Sequence, residues 1–277
     1  MAFYCYCSRM RDWLYLVTEG LLTPVVRYLF RFDVEGVDRI PKDGPVLLAS
    51  NHLSPFDPIV YGKVGLNLKP KRYPRFMAKA ELFQKQPLSW CLGKMHQIPV
   101  YRGQRSVRES MDAARAALTE GEFAIIFPEG TISPLFVPMK PHSGVGRLAR
   151  DTGVPVVPAG LWGTQRVWPG YRSQRDFSPR HPLTITFGAP VRYASTDRPA
   201  VVARDIMSRV VECVEVSRER YPRSENEDPW WEVEKWPTAR AGHWRPKAIS
   251  GMKDEEVLAA AHEALYGEIG RSALEGE

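Results

Sequence analysis

Between about Arg31 and Tyr221 short apolar runs alternate with longer amphipathic ones, and no other feature of the chain constrains its fold as strongly. The runs Val46–Ser50, Arg75–Lys79, Gln97–Val100, Phe123–Phe127, Val154–Leu161 and Leu183–Phe187 have the length and apolar content of strands. Between and after them, Pro55–Val64, Ala80–Leu92, Ser106–Thr119, Gly144–Asp151 and Ala200–Arg220 read as helices. Parallel strands need long crossovers, and helices supply them. The expected fold is therefore α/β, a largely parallel central sheet flanked by helices. Ligands of such sheets gather at the carboxyl ends of strands, so the residues that follow each strand are the candidates for chemistry.

The flanks differ from this middle. Residues 1–30 read as an amphipathic helical segment, with Met10, Trp13, Leu14, Val17, Leu21, Val25, Tyr28, Leu29 and Phe32 at helical spacing. Pro24 is expected to break it into a pair of helices. The pair either packs on the core or lies on a membrane surface, with Arg9, Arg11, Arg27 and Arg31 near anionic headgroups. The most apolar stretch, Trp13 to Val26, reaches about 21 Å as helix, short of the ~30 Å hydrocarbon layer, so a span is not expected. The first eight residues lack the basic start of a signal peptide. The expected location is peripheral, on the cytoplasmic face of a membrane.

Residues 223–277 form a Trp-rich acidic extension of unassigned role, leaving 31–222 as the main domain. The extension has 7 Lys/Arg against 12 Asp/Glu, whereas residues 1–222 have 31 against 20. The basic part is the expected seat of any anion-binding site. A helix is expected over Lys253 to Tyr266, with Asp254, Glu255 and Glu256 in its first turn. Cys5, Cys7, Cys91 and Cys213 follow no disulfide or zinc spacing, which points to a reducing compartment without structural bridges or metal.

Two strands run into polar clusters. Val46–Ser50 leads to Asn51-His52-Leu53-Ser54-Pro55-Phe56-Asp57. An acid five residues after a histidine can reach back across the turn, fix the imidazole tautomer and leave the other ring nitrogen free to take a proton. The same spacing also fits a helix-capping acid beside a structural histidine. The second strand, Phe123–Phe127, leads to Pro128-Glu129-Gly130-Thr131-Ile132-Ser133, which is either a plain turn or a polar cradle for a polyol or an arginine. Between them, Gln97-Ile98-Pro99-Val100-Tyr101-Arg102 ends in a guanidinium able to fork onto a phosphate. Val154-Pro155-Val156-Val157-Pro158-Ala159-Gly160 reads as a proline-punctuated strand that lines a site or sits at a sheet edge.

Taken in order, these segments resemble the four blocks of the 1-acylglycerol-3-phosphate acyltransferase family, the PlsC-like glycerolipid acyltransferases. Asn51, His52 and Asp57 match the first block, Gly93 through Arg102 the second, Phe127 to Ser133 the third and Val154 to Gly160 the fourth. The likeness runs from about Arg31 to Val216. Two departures stand out: Tyr101 replaces the aspartate common before the arginine, and His142-Ser143-Gly144 occupies a common Lys-x-Gly, with Lys140 two residues earlier.

The resemblance implies an enzyme that moves an acyl chain from acyl-CoA, or from acyl carrier protein as the alternative donor, to the hydroxyl of a lysophospholipid. Lysophosphatidate is the first choice of acceptor; another lysophospholipid or a glycolipid, or an inactive lipid-binding relative, is the alternative. His52 would be the base and Asp57 its orienting partner, with no covalent intermediate, metal or cofactor. Asn51, Arg102, Phe127, Pro128, Glu129, Gly130, Thr131, Ser133, Lys140 and Pro158 are the implied substrate-binding residues, and backbone N–H groups of the second or third block the implied oxyanion donors. The expected partners are these lipids and thioesters and an anionic membrane surface. The basic run Lys69 to Arg75 comes with no nucleic-acid-binding module, so no nucleic acid is expected.

Overall fold

The structure, a computed structural model, describes residues 2–100, 104–134, 136–170 and 175–222. The expected terminal helix and the 223–277 extension lie outside the described residues, as do Tyr101 and Arg102.

Seven strands form one sheet: β1 (Phe30–Glu35), β2 (Val46–Ser50), β3 (Arg75–Lys79), β4 (Ile98–Val100), β5 (Phe123–Ile126), β6 (Val156–Trp162) and β7 (His181–Phe187). Their order is β1-β7-β6-β2-β5-β3-β4, and every neighbouring pair is parallel except β6 and β7. β2 and β5 are buried along their whole length, as continuous apolar runs in a covered parallel sheet should be. Because β5, β2 and β6 are adjacent and parallel, their carboxyl ends open on the same edge of the sheet. That shared edge positions the site.

Helices α1 (Ala2–Leu29), α2 (Asp57–Asn67), α3 (Leu88–Lys94), α4 (Gln104–Thr119), α5 (Ser143–Thr152), α6 (Thr164–Val167) and α7 (Pro199–Arg220) flank it. α7 buries Val202, Ile206, Val210 and Val214 along one stripe, and it packs on β6, β7 and α5. The approach to β6 is close enough to require Gly160, where a Cβ would stand 2.2 Å from the Cys213 carbonyl carbon.

Four expectations change. Pro24 does not break the first helix, which runs unbroken for 28 residues. The carbonyl that loses its N–H partner belongs to Gly20, an exposed position with open space around it, so water can satisfy it. Arg31 and Phe32 belong to β1, not to that helix, and Phe30, Phe32 and Val34 form the alternating side of an edge strand whose pairing with β7 no local pattern reveals. The expected helix Ala80–Leu92 divides into a 3-10 turn, Ala80–Gln84, and α3, because Pro87 has no N–H for a continuous ladder. Finally, Pro158 is on neither a sheet edge nor a strand end. β6 runs between β2 and β7, and Pro158 pairs with Ala49 in mid-strand. Its carbonyl accepts the Gly188 N–H at 2.8 Å on the β7 side, where the donor it lacks would also point, just past the end of β7.

Helix α1 has two apolar sides. Tyr15, Val26 and Leu29 are buried, and the Tyr15 hydroxyl donates to the Pro74 carbonyl. Trp13, Val17, Leu21, Val25 and Tyr28 face outward, Leu21 at 70 % exposure. Among the described residues no helix is long and apolar enough to cross a membrane.

Candidate active site

The site begins where β2 ends. Asp57 opens α2, a favourable place for an acid, and its carboxylate turns back over the preceding loop rather than capping its own helix. Oδ2 accepts the backbone N–H of Leu53 at 2.7 Å and of Ser54 at 2.9 Å, and lies 2.8 Å from His52 Nδ1. Oδ1 accepts the Thr164 hydroxyl at 2.6 Å. A fully buried carboxylate with two main-chain donors on the same oxygen is an acceptor toward the ring too, so Nδ1 carries the hydrogen. Nε2 is then the basic nitrogen. The capping alternative for Asp57 is excluded by these contacts: the acid serves the His52 turn.

Phe127 lies flat against the imidazole, ring centroids 4.0 Å apart and planes within 12°. The ring of His52 is thus held at its edge by Asp57 and on one face by Phe127, and 16 % of the side chain stays exposed. Its main chain is held as well. The His52 N–H donates to Glu129 Oε1 at 3.2 Å, and its carbonyl accepts the Ser133 N–H at 2.8 Å. Among the described residues, every handle of His52 except Nε2 is engaged.

The third block therefore binds protein before it could bind ligand. Glu129 has no exposed surface, and its second oxygen accepts the Met139 N–H at 3.2 Å. Burial, with Asp57 nearby, pushes its carboxyl well above the usual glutamate range, against the opposing pull of the two N–H groups. The Ser133 hydroxyl donates to the Val137 carbonyl at 2.7 Å and is buried. Asn51 is buried also, exchanging side-chain hydrogen bonds of 2.9 Å with both the N–H and the carbonyl of Leu161. These three side chains and mid-strand Pro158, all expected to bind substrate, are buried, and the three polar ones hydrogen-bond within the protein. Within the third block, one of the two stretches expected to hold the oxyanion donors, the N–H groups of Gly130 and Ser133 donate to the Phe127 and His52 carbonyls.

What stays accessible is Gly130, exposed, and Phe127 and Thr131, half-buried, while Pro128 is buried in the same turn. Lys140 is exposed next to that turn, since Met139 bonds Glu129 and the His142 N–H donates to the Pro128 carbonyl at 2.9 Å. A second His–Ser–Asp grouping, His181 with Ser178 and Asp176, is a brace. Among the described residues its ring bonds through Nε2, which reaches Ser178 Oγ and the Asp176 carbonyl at 3.1 Å, and burial lowers the affinity of the ring for a proton.

Residues missed by the sequence reading are Thr164 and the anchors Leu161 and Met139. Thr164 and Leu161 meet the site through strand order, and Met139 through the fold of the loop that follows β5.

Residues 31–162 match the Acyltransferase family model. The 1-acyl-sn-glycerol-3-phosphate acyltransferase BAT2, chloroplastic, of Brassica napus is 31% identical over 144 residues, 50% of this chain and 40% of that protein. The 1-acyl-sn-glycerol-3-phosphate acyltransferase of Bacillus subtilis is 28% identical over 181 residues, 63% of this chain and 84% of that protein. The chain thus spans about two fifths of the length of the plant relatives and most of the bacterial one. The crystal structure of PlsC, the 1-acyl-sn-glycerophosphate acyltransferase of Thermotoga maritima, superposes with a TM-score of 0.61 at 24% identity, covering 78% of this chain and 83% of that one, and shares the fold. The ordered blocks, a family match over just under half of the chain and the shared sheet all point the same way: the chain is similar to the PlsC-like acyltransferases.

Proposed function

We propose that the protein transfers an acyl chain from an acyl thioester to the free hydroxyl of a lysophospholipid, with lysophosphatidate as acceptor and phosphatidate as product. The observation that carries the reading is the His52–Asp57 pair at 2.8 Å, with Nδ1 committed and Nε2 left as base. A thioester is already activated, so the chemistry asks for a base, a grip on the acceptor and donors for the tetrahedral oxyanion. In this mechanism Nε2 takes the acceptor hydroxyl proton while the oxygen attacks the acyl carbonyl. The tetrahedral adduct then expels the thiolate, which leaves with the proton held by His52. Asp57 stabilises the imidazolium between these steps. Acyl-CoA and acyl carrier protein offer the same thioester, and either serves this scheme as donor.

An open apolar groove of about 430 Å³ supports a lipid acceptor. It is lined by Pro24, Val25, Tyr28, Leu29, Phe56 and Phe177, so it joins the outward side of α1 to the loop between His52 and Asp57. In this reading α1 lies on the membrane surface, its exposed apolar side among the lipids, and the groove leads acyl chains toward the His52 loop. Arg102, from the second block, is assigned the acceptor phosphate, with Lys140 beside the same turn.

The test is a panel of lysolipids and monoacylglycerol against acyl-CoA and acyl carrier protein donors, scored by thiol release and by product mass. Lysophosphatidate-dependent thiol release with phosphatidate as product, lost in folded His52→Ala, is the expected result. No release with any pair, together with tight phospholipid binding, would make the protein a lipid-binding relative.

A further inference from the structure

The Asp57 carboxylate is bonded on both oxygens, and the partner of Oδ1 comes from outside the four blocks. Thr164 is the first residue of α6, two positions beyond the end of β6, and has no exposed surface. Its Oγ1 stands 2.6 Å from Oδ1, across 107 positions of sequence. The backbone is shaped for this placement. Gly163 turns the chain with φ +120°, where a side chain would be strained and a Cβ would meet the Pro182 carbonyl oxygen at 2.4 Å. The Gln165 side chain holds the turn by accepting the Gly163 N–H at 2.9 Å. Four residues on, Trp168 packs edge-on against Phe56 at 5.8 Å, so the segment after β6 backs the His52–Asp57 loop at two points.

We propose that Thr164 is a positioning residue for the acyl transfer, its hydroxyl fixing the rotation and the basicity of the Asp57 carboxylate and, through it, the direction and proton affinity of His52. The inference rests on the His52–Asp57 reading above. Three of the four donors on Asp57 come from residues 52–54, and all three reach Oδ2. Oδ1 has Thr164, so the carboxylate cannot rotate to offer His52 its other oxygen without losing a buried hydrogen bond. Two titratable groups feel Asp57, Tyr61 one turn along the same helix and Glu129 after β5, and burial raises both.

The experiment compares Thr164→Val, Thr164→Ala and Thr164→Ser with wild type in kcat, KM and the pH dependence of kcat, with lysophosphatidate and acyl-CoA. Loss of the hydroxyl should lower kcat about 10- to 150-fold, the range of one hydrogen bond to a charged group, with little change in KM. Without that donor Asp57 is more basic and favours the imidazolium, so the ascending limb of the profile should move to higher pH. Thr164→Ser should restore both rate and limb. Should the valine variant not fold, the alanine–serine contrast reads the same hydroxyl. Folded valine or alanine variants with near wild-type kcat and an unmoved limb would overturn the proposal, as would a serine variant no better than alanine. His52→Ala in the same assay separates the layers. If it stays active the dyad reading itself falls, whereas a dead His52→Ala beside an unaffected Thr164 series removes only the role of Thr164.

Discussion

The backbone N–H of His52 donates to a side-chain oxygen of Glu129, 77 positions further along the chain, at 3.2 Å. The same histidine accepts the Ser133 N–H on its carbonyl, so the loop after β5 holds the main chain of the loop after β2 from both directions. The third block is here a clamp on the first.

Asp57→Asn should cost turnover about 10³- to 10⁴-fold. An amide nitrogen in place of Oδ2 faces His52 Nδ1 and the Leu53 and Ser54 N–H groups and removes the acceptor that sets the tautomer, and an amide oxygen there lacks the charge that stabilises the imidazolium. Steady-state rates on the folded variant check this; a loss below tenfold would mean that His52 keeps its tautomer by other means.

Glu129 makes stability depend on pH with a definite sign. Its folded-state affinity for the proton is raised above the ordinary value of 4.5, so as pH climbs past that value the unfolded chain ionises first. Stability should then fall with rising pH, by at most about 1.4 kcal/mol per pH unit, until the folded value is passed. Glu129→Gln should remove that slope while leaving one of the His52 and Met139 N–H groups poorly matched. Urea midpoints of both proteins across pH are the measurement, and parallel curves would contradict the assignment.

On α1, Leu21→Glu with Tyr28→Ser should weaken sedimentation with anionic vesicles and leave the thermal midpoint almost unchanged, since both positions are exposed. Val26→Ala, on the buried side, should do the reverse and cost about 1–3 kcal/mol of stability. Equal vesicle binding by all three proteins would detach α1 from the membrane reading.

Arg102→Ala should reduce catalytic efficiency toward lysophosphatidate about 10- to 150-fold, mainly through KM, and leave a phosphate-free acceptor such as monoacylglycerol almost unaffected. Arg102→Lys should recover part of the loss, because an ammonium lacks the planar fork. Equal losses for both acceptors would refute the phosphate grip.

Two glycine replacements should move stability in opposite directions. Gly160→Ala drives a methyl into the Cys213 backbone and should cost about 1–3 kcal/mol or more. Gly20→Ala, in the open middle of α1, should add about 0.5–1 kcal/mol by helix propensity. Thermal or urea denaturation reads both.

Local order along the chain was enough for six of the seven strands, the α/β class and the His52–Asp57 pair. Each depends on residues a few positions apart, where periodicity and reach are set by backbone geometry alone. The five-residue spacing of His52 and Asp57 spans one turn, and the turn is where the bond forms. The same local view misjudged Pro24 and Phe32, because whether a freed carbonyl meets water and whether a segment finds a pairing strand are matters of surroundings. It could not tell that Asn51, Glu129 and Ser133 are buried, since a polar residue after a strand looks alike whether it faces solvent or another loop. Folding decided that question by laying β5, β2 and β6 side by side. Their carboxyl ends then meet, and buried polar groups there must satisfy one another: Asn51 with Leu161, Glu129 with His52, and Thr164 with Asp57.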